Sequence, residues 1–410
     1  MTETATPHVR TSGRLSGLDG VRGLLAVAIL VAHTTGLLTP ATAEKLHLGL
    51  LAQSVIAFFA LSGFLIFLPF CRSLVTARPL PNLRSYGLHR LFRVYPGYLV
   101  IFLVANFVLG AVFVQNVFVA ETTRSDAGTG RMTSPAEVLL HLTLAQTFVP
   151  SQLQTGLNVA WTLTAELGFY VIVPLLALGA ARLARRTGPV TAVLALPVGL
   201  MVLVGWATKG YLQHVDATSA KELQEISFGP HPVAVLTEST LTYADVFGFG
   251  MAACLVFVLI ENGRLGGLRG TRLWLGSLPL LVVFTVLSLA ALSAHSVLAS
   301  AFLAVAGGIL LVLITEPVAR GDRSRLGDLL DVRPVKYLGT ISLSFYLWHF
   351  PVLMLVTRWG WFGPDTVPGA AWNVGLVTAI TLALGSITYR FVEYPAMQLG
   401  RRLSRKAPPS

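Results

Sequence analysis

Residues 18–33 read LDGVRGLLAVAILVAH, and the placement of three side chains in this stretch decides the fold. The run continues apolar to about residue 39, close to the 20 or so residues a helix needs to cross a bilayer. Asp19, Arg22 and His33 are its ionisable members. Arg22 and His33 stand 11 positions apart, and Asp19 and His33 stand 14 apart. Those intervals are three and nearly four helical turns, so the three fall on one stripe. At 1.5 Å per residue, Arg22 and His33 are about 16 Å apart along the axis. A charge at the centre of a span costs about 2.5–3.5 kcal/mol on insertion scales, and such residues usually have a purpose. His33 is either a neutral imidazole satisfied by a neighbouring helix or a general base. Arg22 is either an interfacial anchor or a ligand for an anion.

Composition extends this reading to the whole chain. Of 410 residues, 54% are hydrophobic and 12% charged, where soluble chains carry about 25% charged residues. Apolar runs at about 21–39, 48–70, 95–115, 161–181, 188–206, 242–260, 273–292, 296–315, 337–357 and 371–392 predict an all-α integral membrane protein of about ten spans. The run near 136–149 is too short and polar to span and reads as a re-entrant or interfacial piece. The division is a short segment 1–20, a membrane domain 21–395 and a basic tail 396–410. Cys71 and Cys254 lie in or beside apolar runs, with no metal-ligand spacing.

The net charge of +11 is better explained by cytoplasmic loops than by a nucleic-acid partner. With the N-terminus inside, the inner connections hold Arg10 and Arg14, Arg72 to Arg93, Arg182 to Arg186, Arg264 to Arg272, Arg320 to Lys336 and Arg401 to Lys406. Lys45, Arg124, Arg131, Lys209, Lys221 and Arg358 are left outside. Both termini are therefore expected in the cytoplasm. Arg14, Arg22, the first apolar run and Ala41-Thr42-Ala43 also have the form of a secretory signal, although His33 interrupts the run.

Further motifs follow in order. In FFALSGFLIF (58–67), Ser62 and Gly63 serve either close helix packing or a narrow passage for a ligand chain. In RSYGLHRLFRVYP (84–96), Arg90 and Arg93 share a helical face and suit phosphates, or simply mark the inner surface. WTLTAELGFYVIVP (161–174) puts Glu166 about one turn into the membrane, where an acid requires a partner. In GTISLSFYLWHFP (339–351), Tyr346 and His349 share a face, and His349 is expected at a depth like that of His33. Tyr389, Arg390 and Glu393 read as a cap closing the last span. No P-loop, GxGxxG, HxxxxD or GxSxG motif is present.

Together these stretches, with FVEYP at 391–395, resemble the acyltransferase 3 family of integral membrane O-acyltransferases, in family order and over nearly the whole chain. The resemblance implies about ten spans in a bacterial plasma (inner) membrane, with no tightly bound cofactor or metal. Acyl-CoA is the implied co-substrate. The acceptor is a hydroxyl on a sugar, lipid or small molecule. Arg22 and His33 match the family's Arg-x10-His element, and Arg90 and Arg93 its RxxR element. The implied catalytic group is His33 with Asp19 and Glu166. Arg22, Arg90, Arg93, Ser62 and Gly63 would bind the donor, and Tyr346 and His349 would line the site. Where the family often has two consecutive acids, this chain has Glu166 then Leu167. A transporter or flippase with a midplane histidine is the competing expectation, marked by inverted repeats and broken helices in matching halves. A non-catalytic sensor is a third.

Overall fold

The computed structural model describes residues 15–187, 191–218, 223–266 and 270–405. Arg10, Arg14, Lys221, Arg269 and Lys406 lie outside them. The long helices are α1 (Leu18–Leu38), α2 (Ser54–Val75), α3 (Leu83–Leu103), α4 (Trp161–Thr187), α5 (Thr191–Thr218), α6 (Ala244–Glu261), α7 (Gly270–Ser293), α8 (Ala299–Arg320), α9 (Ser342–Arg358) and α10 (Val367–Thr388), followed by α11 (Tyr394–Arg405). Among the described residues, nine helices are long and apolar enough to span a membrane. Helices Arg333–Thr340 and α9, bent by 77° at their junction, bring the number to ten when counted as one span. The chain is an all-α integral, multi-pass membrane protein.

Helix starts follow the sequence. Asn82 caps α3 by accepting the Ser85 N–H at 2.9 Å. Thr366 caps α10 in the same way through Gly369, with Pro368 in the first turn.

Packing centres on α2 and α6. A Cβ on Gly63 would lie 2.2 Å from the Phe247 carbonyl oxygen, and one on Gly250 would lie 1.9 Å from that of Ala60. The two backbones can approach this closely only because both positions are glycine. Phe64, Phe247, Cys254 and Phe257 fill the contact. In contrast α7 is the rim of the bundle: Leu275 is 70% exposed and Val282 and Val286 also face outward, which is satisfactory in lipid.

Several boundaries differ from expectation. α3 begins at Leu83 rather than at 95 and passes through a π-helical stretch, Val104–Leu109, before the chain leaves the helix. RSYGLHRLFR is thus part of the span. α5 runs to Thr218 rather than 206, so Lys209 belongs to a helix and not to an outer loop. The span expected at about 337–357 is a bent pair, with a sharp turn before α9. Tyr389–Glu393 forms a π-helical turn that leads into α11 instead of capping α10, because Glu393 is buried and accepts a hydrogen bond from Ser344. The described part of the basic tail is accordingly helical.

The segment between α3 and α4 forms a cap over one end of the bundle. It holds a two-residue antiparallel pairing, Val112–Phe113 with Thr129–Gly130, and a short helix, Pro135–Leu142. Tyr98 ties that helix down by donating to the His141 carbonyl at 2.6 Å. Arg358 clamps the cap. Its Nε is 2.6 Å from Asp126 Oδ2, and it donates to the Leu109 and Gly110 carbonyls at 3.0 and 2.7 Å.

Candidate functional site

α1 carries one face along two adjacent cavities. Arg22 lines the first, His33 the second, and Ile29 lines both. Positions 22, 29 and 33 are spaced as one helical stripe requires.

The first cavity is a tight passage of about 90 Å³. Arg22, Ser62, Arg90, Arg93, Glu166 and Tyr170 supply its polar wall. Ser62 donates to Glu166 Oε1 at 3.0 Å, so the acid expected to need a partner inside the membrane has one. Arg22 is braced by Asp19 across 3.5 Å, one turn away on the same helix. Arg90 lies over the rings of Tyr86 and Tyr170, 5.6 and 5.3 Å from their centroids. Aromatic faces hold a guanidinium while leaving its N–H groups free for an anion. Three arginines therefore converge on one narrow cleft.

The second cavity is much larger, about 1150 Å³. His33 lines it together with Gln154, Asn158, Trp161, Lys209 and Tyr243. Asn158 is buried, and its Oδ1 has no hydrogen-bond partner among the described residues. The Gln154 amide donates to Glu238, a buried acid between α5 and α6. Burial pushes the Glu238 carboxyl up to about 8, against the opposing effect of that hydrogen bond. Ile29, Val55 and Tyr346 line both cavities and form the neck between them. At this neck Thr162 donates to the Tyr346 hydroxyl at 3.2 Å.

The two histidines meet. His33 Nδ1 is 2.9 Å from His349 Nε2, and the rings are nearly parallel, with centroids 5.2 Å apart. His349 is 1% exposed and uses its other nitrogen, Nδ1, toward the Tyr346 carbonyl. A carbonyl only accepts, so His349 Nδ1 carries the hydrogen. In a neutral ring Nε2 is then the acceptor, and His33 Nδ1 must donate to it. The neutral His33 ring is thereby left with Nε2 bare, and it is the ring that borders the large cavity. A bare imidazole nitrogen beside a cavity is the form a general base requires.

Not every predicted residue joins these cavities. Asp19 and His349 line neither cavity: Asp19 reaches the site through Arg22, and His349, expected to line it, is buried behind His33. Gly63 faces Phe247 and serves the α2–α6 contact, whereas its neighbour Ser62 faces the passage. Glu166 lies with the arginines and not beside His33. Sequence reasoning missed Tyr170 and the Lys209–Asp245 pair. Lys209 Nζ is 2.6 Å from Asp245 Oδ2, and both side chains are buried. The available signal was a lone lysine just beyond an apolar run and an acid opening the next one. Among the described residues no group of three or more His, Cys, Asp or Glu side chains gathers as a metal site would.

With this geometry in hand, comparison with known proteins gives the class. The chain belongs to the acyltransferase 3 family, whose model, described as an acyltransferase domain, matches residues 15–390. Among its relatives, the acyltransferase MdmB of Streptomyces mycarofaciens is 26% identical over 95% of this chain and 93% of its own length. The putative peptidoglycan O-acetyltransferase YrhL of Bacillus subtilis is 35% identical over 26% of this chain. The peptidoglycan O-acetyltransferase OatA of Listeria monocytogenes is 30% identical over 24% of it. The matched stretches make up 15% and 14% of those two relatives. No solved structure matches.

Proposed function

We propose that this protein is a membrane O-acyltransferase that moves an acetyl or other short acyl group from acyl-CoA to a hydroxyl of a sugar, glycolipid or other cell-envelope or secondary-metabolite acceptor. The observation that carries this reading is the junction of two unlike cavities. An arginine-lined passage, suited to phosphates and a thin chain, adjoins at the Tyr346 neck a roomy polar chamber lined by His33. The acyltransferase and O-acetyltransferase relatives support the same class of reaction.

In this mechanism the donor enters from the cytoplasmic side of a bacterial plasma membrane. Arg22, Arg90 and Arg93 hold its phosphates by charge-assisted hydrogen bonds. Asp19 keeps Arg22 in place. The pantetheine arm passes Ser62 and Glu166, and the thioester reaches the neck. An acceptor hydroxyl in the chamber gives its proton to His33 Nε2 as its oxygen attacks the thioester carbon. The C–S bond breaks, and the imidazolium returns the proton to the departing sulfur, leaving an ester and free CoA. His33 Nδ1–H stays on His349 throughout, so the ring keeps its orientation.

The transport reading has less support. It calls for broken helices in matching halves, and among the described residues one bent pair is present.

Substitution of His33 is the direct test. His33→Gln keeps bulk and hydrogen bonding but cannot take the proton. Single-turnover transfer by the membrane-inserted variant should fall by about 10²–10⁴, with CoA binding retained. Transfer near the wild-type rate would overturn the base assignment.

A further inference from the structure

The passage does not end at Arg90 and Arg93. Both residues also line a third cavity, an open groove of about 710 Å³ between α3 and α11. Ser85, His89, Arg401 and Arg405 contribute to its walls. Four guanidiniums thus border one concavity, and no acidic side chain lines it. None of the four has a carboxylate within ion-pair distance among the described residues. Some basic residues elsewhere are paired: Arg72 meets Glu261, Arg320 meets Glu316, Lys336 meets Asp331 and Arg358 meets Asp126. A uniformly cationic hollow is electrostatically self-repelling and is relieved by a polyanion.

The groove is built into the fold. A Cβ on Gly400 would lie 2.8 Å from Phe92 Cβ, so α11 is seated directly on α3. Ser404 Oγ lies 3.0 Å from His89 Nε2 and joins the two helices across the groove. The buried Glu393, whose side chain would lie 3.0 Å from a Cβ on Gly97, fixes the π-helical turn from which α11 departs.

We infer that this groove, through Arg401 and Arg405 together with Arg90 and Arg93, is the seat of the phosphorylated nucleotide of the acyl-CoA donor. The inference rests on the donor reading above and extends it to residues of α11. The chemistry fits a ligand with two ends: a compact polyanionic head in the open groove, and a slender uncharged arm in the 90 Å³ passage that shares its arginines. An anionic lipid headgroup offers similar phosphate chemistry to the same groove, so the test must separate the two.

The experiment compares acyl-CoA with acyl-pantetheine, which has the arm and thioester but no nucleotide. It uses the full chain reconstituted in vesicles of neutral lipid. The double substitution Arg401→Ala and Arg405→Ala should raise KM for acyl-CoA about tenfold and leave kcat nearly unchanged. It should leave KM for acyl-pantetheine unchanged. Adenosine 3′,5′-bisphosphate should compete with acyl-CoA in the wild type and compete more weakly in the variant. Arg401→Lys with Arg405→Lys should fall between the two. An unchanged KM for acyl-CoA would overturn the inference, as would an equal change for both donors. So would an effect that appears only when anionic lipid is added, which would assign the groove to lipid. A wild type that handles acyl-CoA and acyl-pantetheine alike would also overturn the inference. The donor reading fails separately: a wild type that transfers an acyl group from neither acyl-CoA nor acyl-pantetheine would remove it.

Discussion

At the residue scale, the hydrogen-bond sequence from the Tyr346 carbonyl through His349 to His33 makes a specific demand on position 349. The residue there must accept from His33 Nδ1–H. Glutamine supplies an amide oxygen for this purpose, whereas phenylalanine keeps the ring and its packing but accepts nothing. His349→Phe should lower kcat by about 10–100-fold, taking as a guide the cost of losing a partner that orients a metal-bound histidine, with KM for the donor unchanged. His349→Gln should recover much of that loss. Equal kcat values for the two variants would show that position 349 acts by packing alone. The sequence made this site partly legible. The intervals between Asp19, Arg22 and His33 placed them on one face, and the distance of His349 into its span placed it near the depth of His33. The contact itself lay beyond reach, because 316 positions separate the two rings and no local pattern encodes it. Gly63 illustrates the opposite difficulty: a small residue for backbone contact and a small residue for a ligand look the same until the neighbouring helix is in place.

At the scale of elements, two of the helices that departed from expectation, α5 and α3, are ones in which charge sits inside a span. The apolar run of α5 fades after Trp206, and hydropathy alone ends it there. The helix continues because Asp245, at the start of α6, receives Lys209 in a buried ion pair. Hydropathy weighs each residue singly, so it cannot anticipate a partner 36 positions away. α3 presents the same case, with Arg90 stacked on two tyrosines within what reads as a basic loop. The α5–α6 pair gives a stability prediction. Lys209→Met leaves Asp245 buried and unpaired, which should cost about 3–5 kcal/mol. Adding Asp245→Asn removes the stranded charge and should return most of that stability. Thermal unfolding of the detergent-solubilised variants provides the measurement, and a double variant no more stable than the single one would contradict the account.

At the scale of the whole molecule, the number of crossings was readable from apolar run lengths, and the structure keeps it by joining Arg333–Thr340 to α9 through a bend. Ten crossings return the chain to the face from which it set out. The arginine excess predicts that this face is cytoplasmic, and α11, which walls the basic groove, follows the last crossing and should lie on that face. A reporter active only outside the membrane, fused after Ser410, should be silent, and one active only inside should report strongly. The reverse result would place the donor groove on the wrong side of the membrane for cytoplasmic acyl-CoA.

The neck formed by Ile29, Val55 and Tyr346 has a consequence for the cell as a whole. In the proposed mechanism the two cavities serve opposite faces of an energised membrane, and these three side chains, which line both, insulate one aqueous compartment from the other. A wide, wet junction would conduct protons and short-circuit the gradient that drives the cell's own synthesis of ATP. In that mechanism the constriction that limits which acyl groups can pass also sets the ionic leak the membrane must tolerate, so a wider substrate range would come only with a weaker seal.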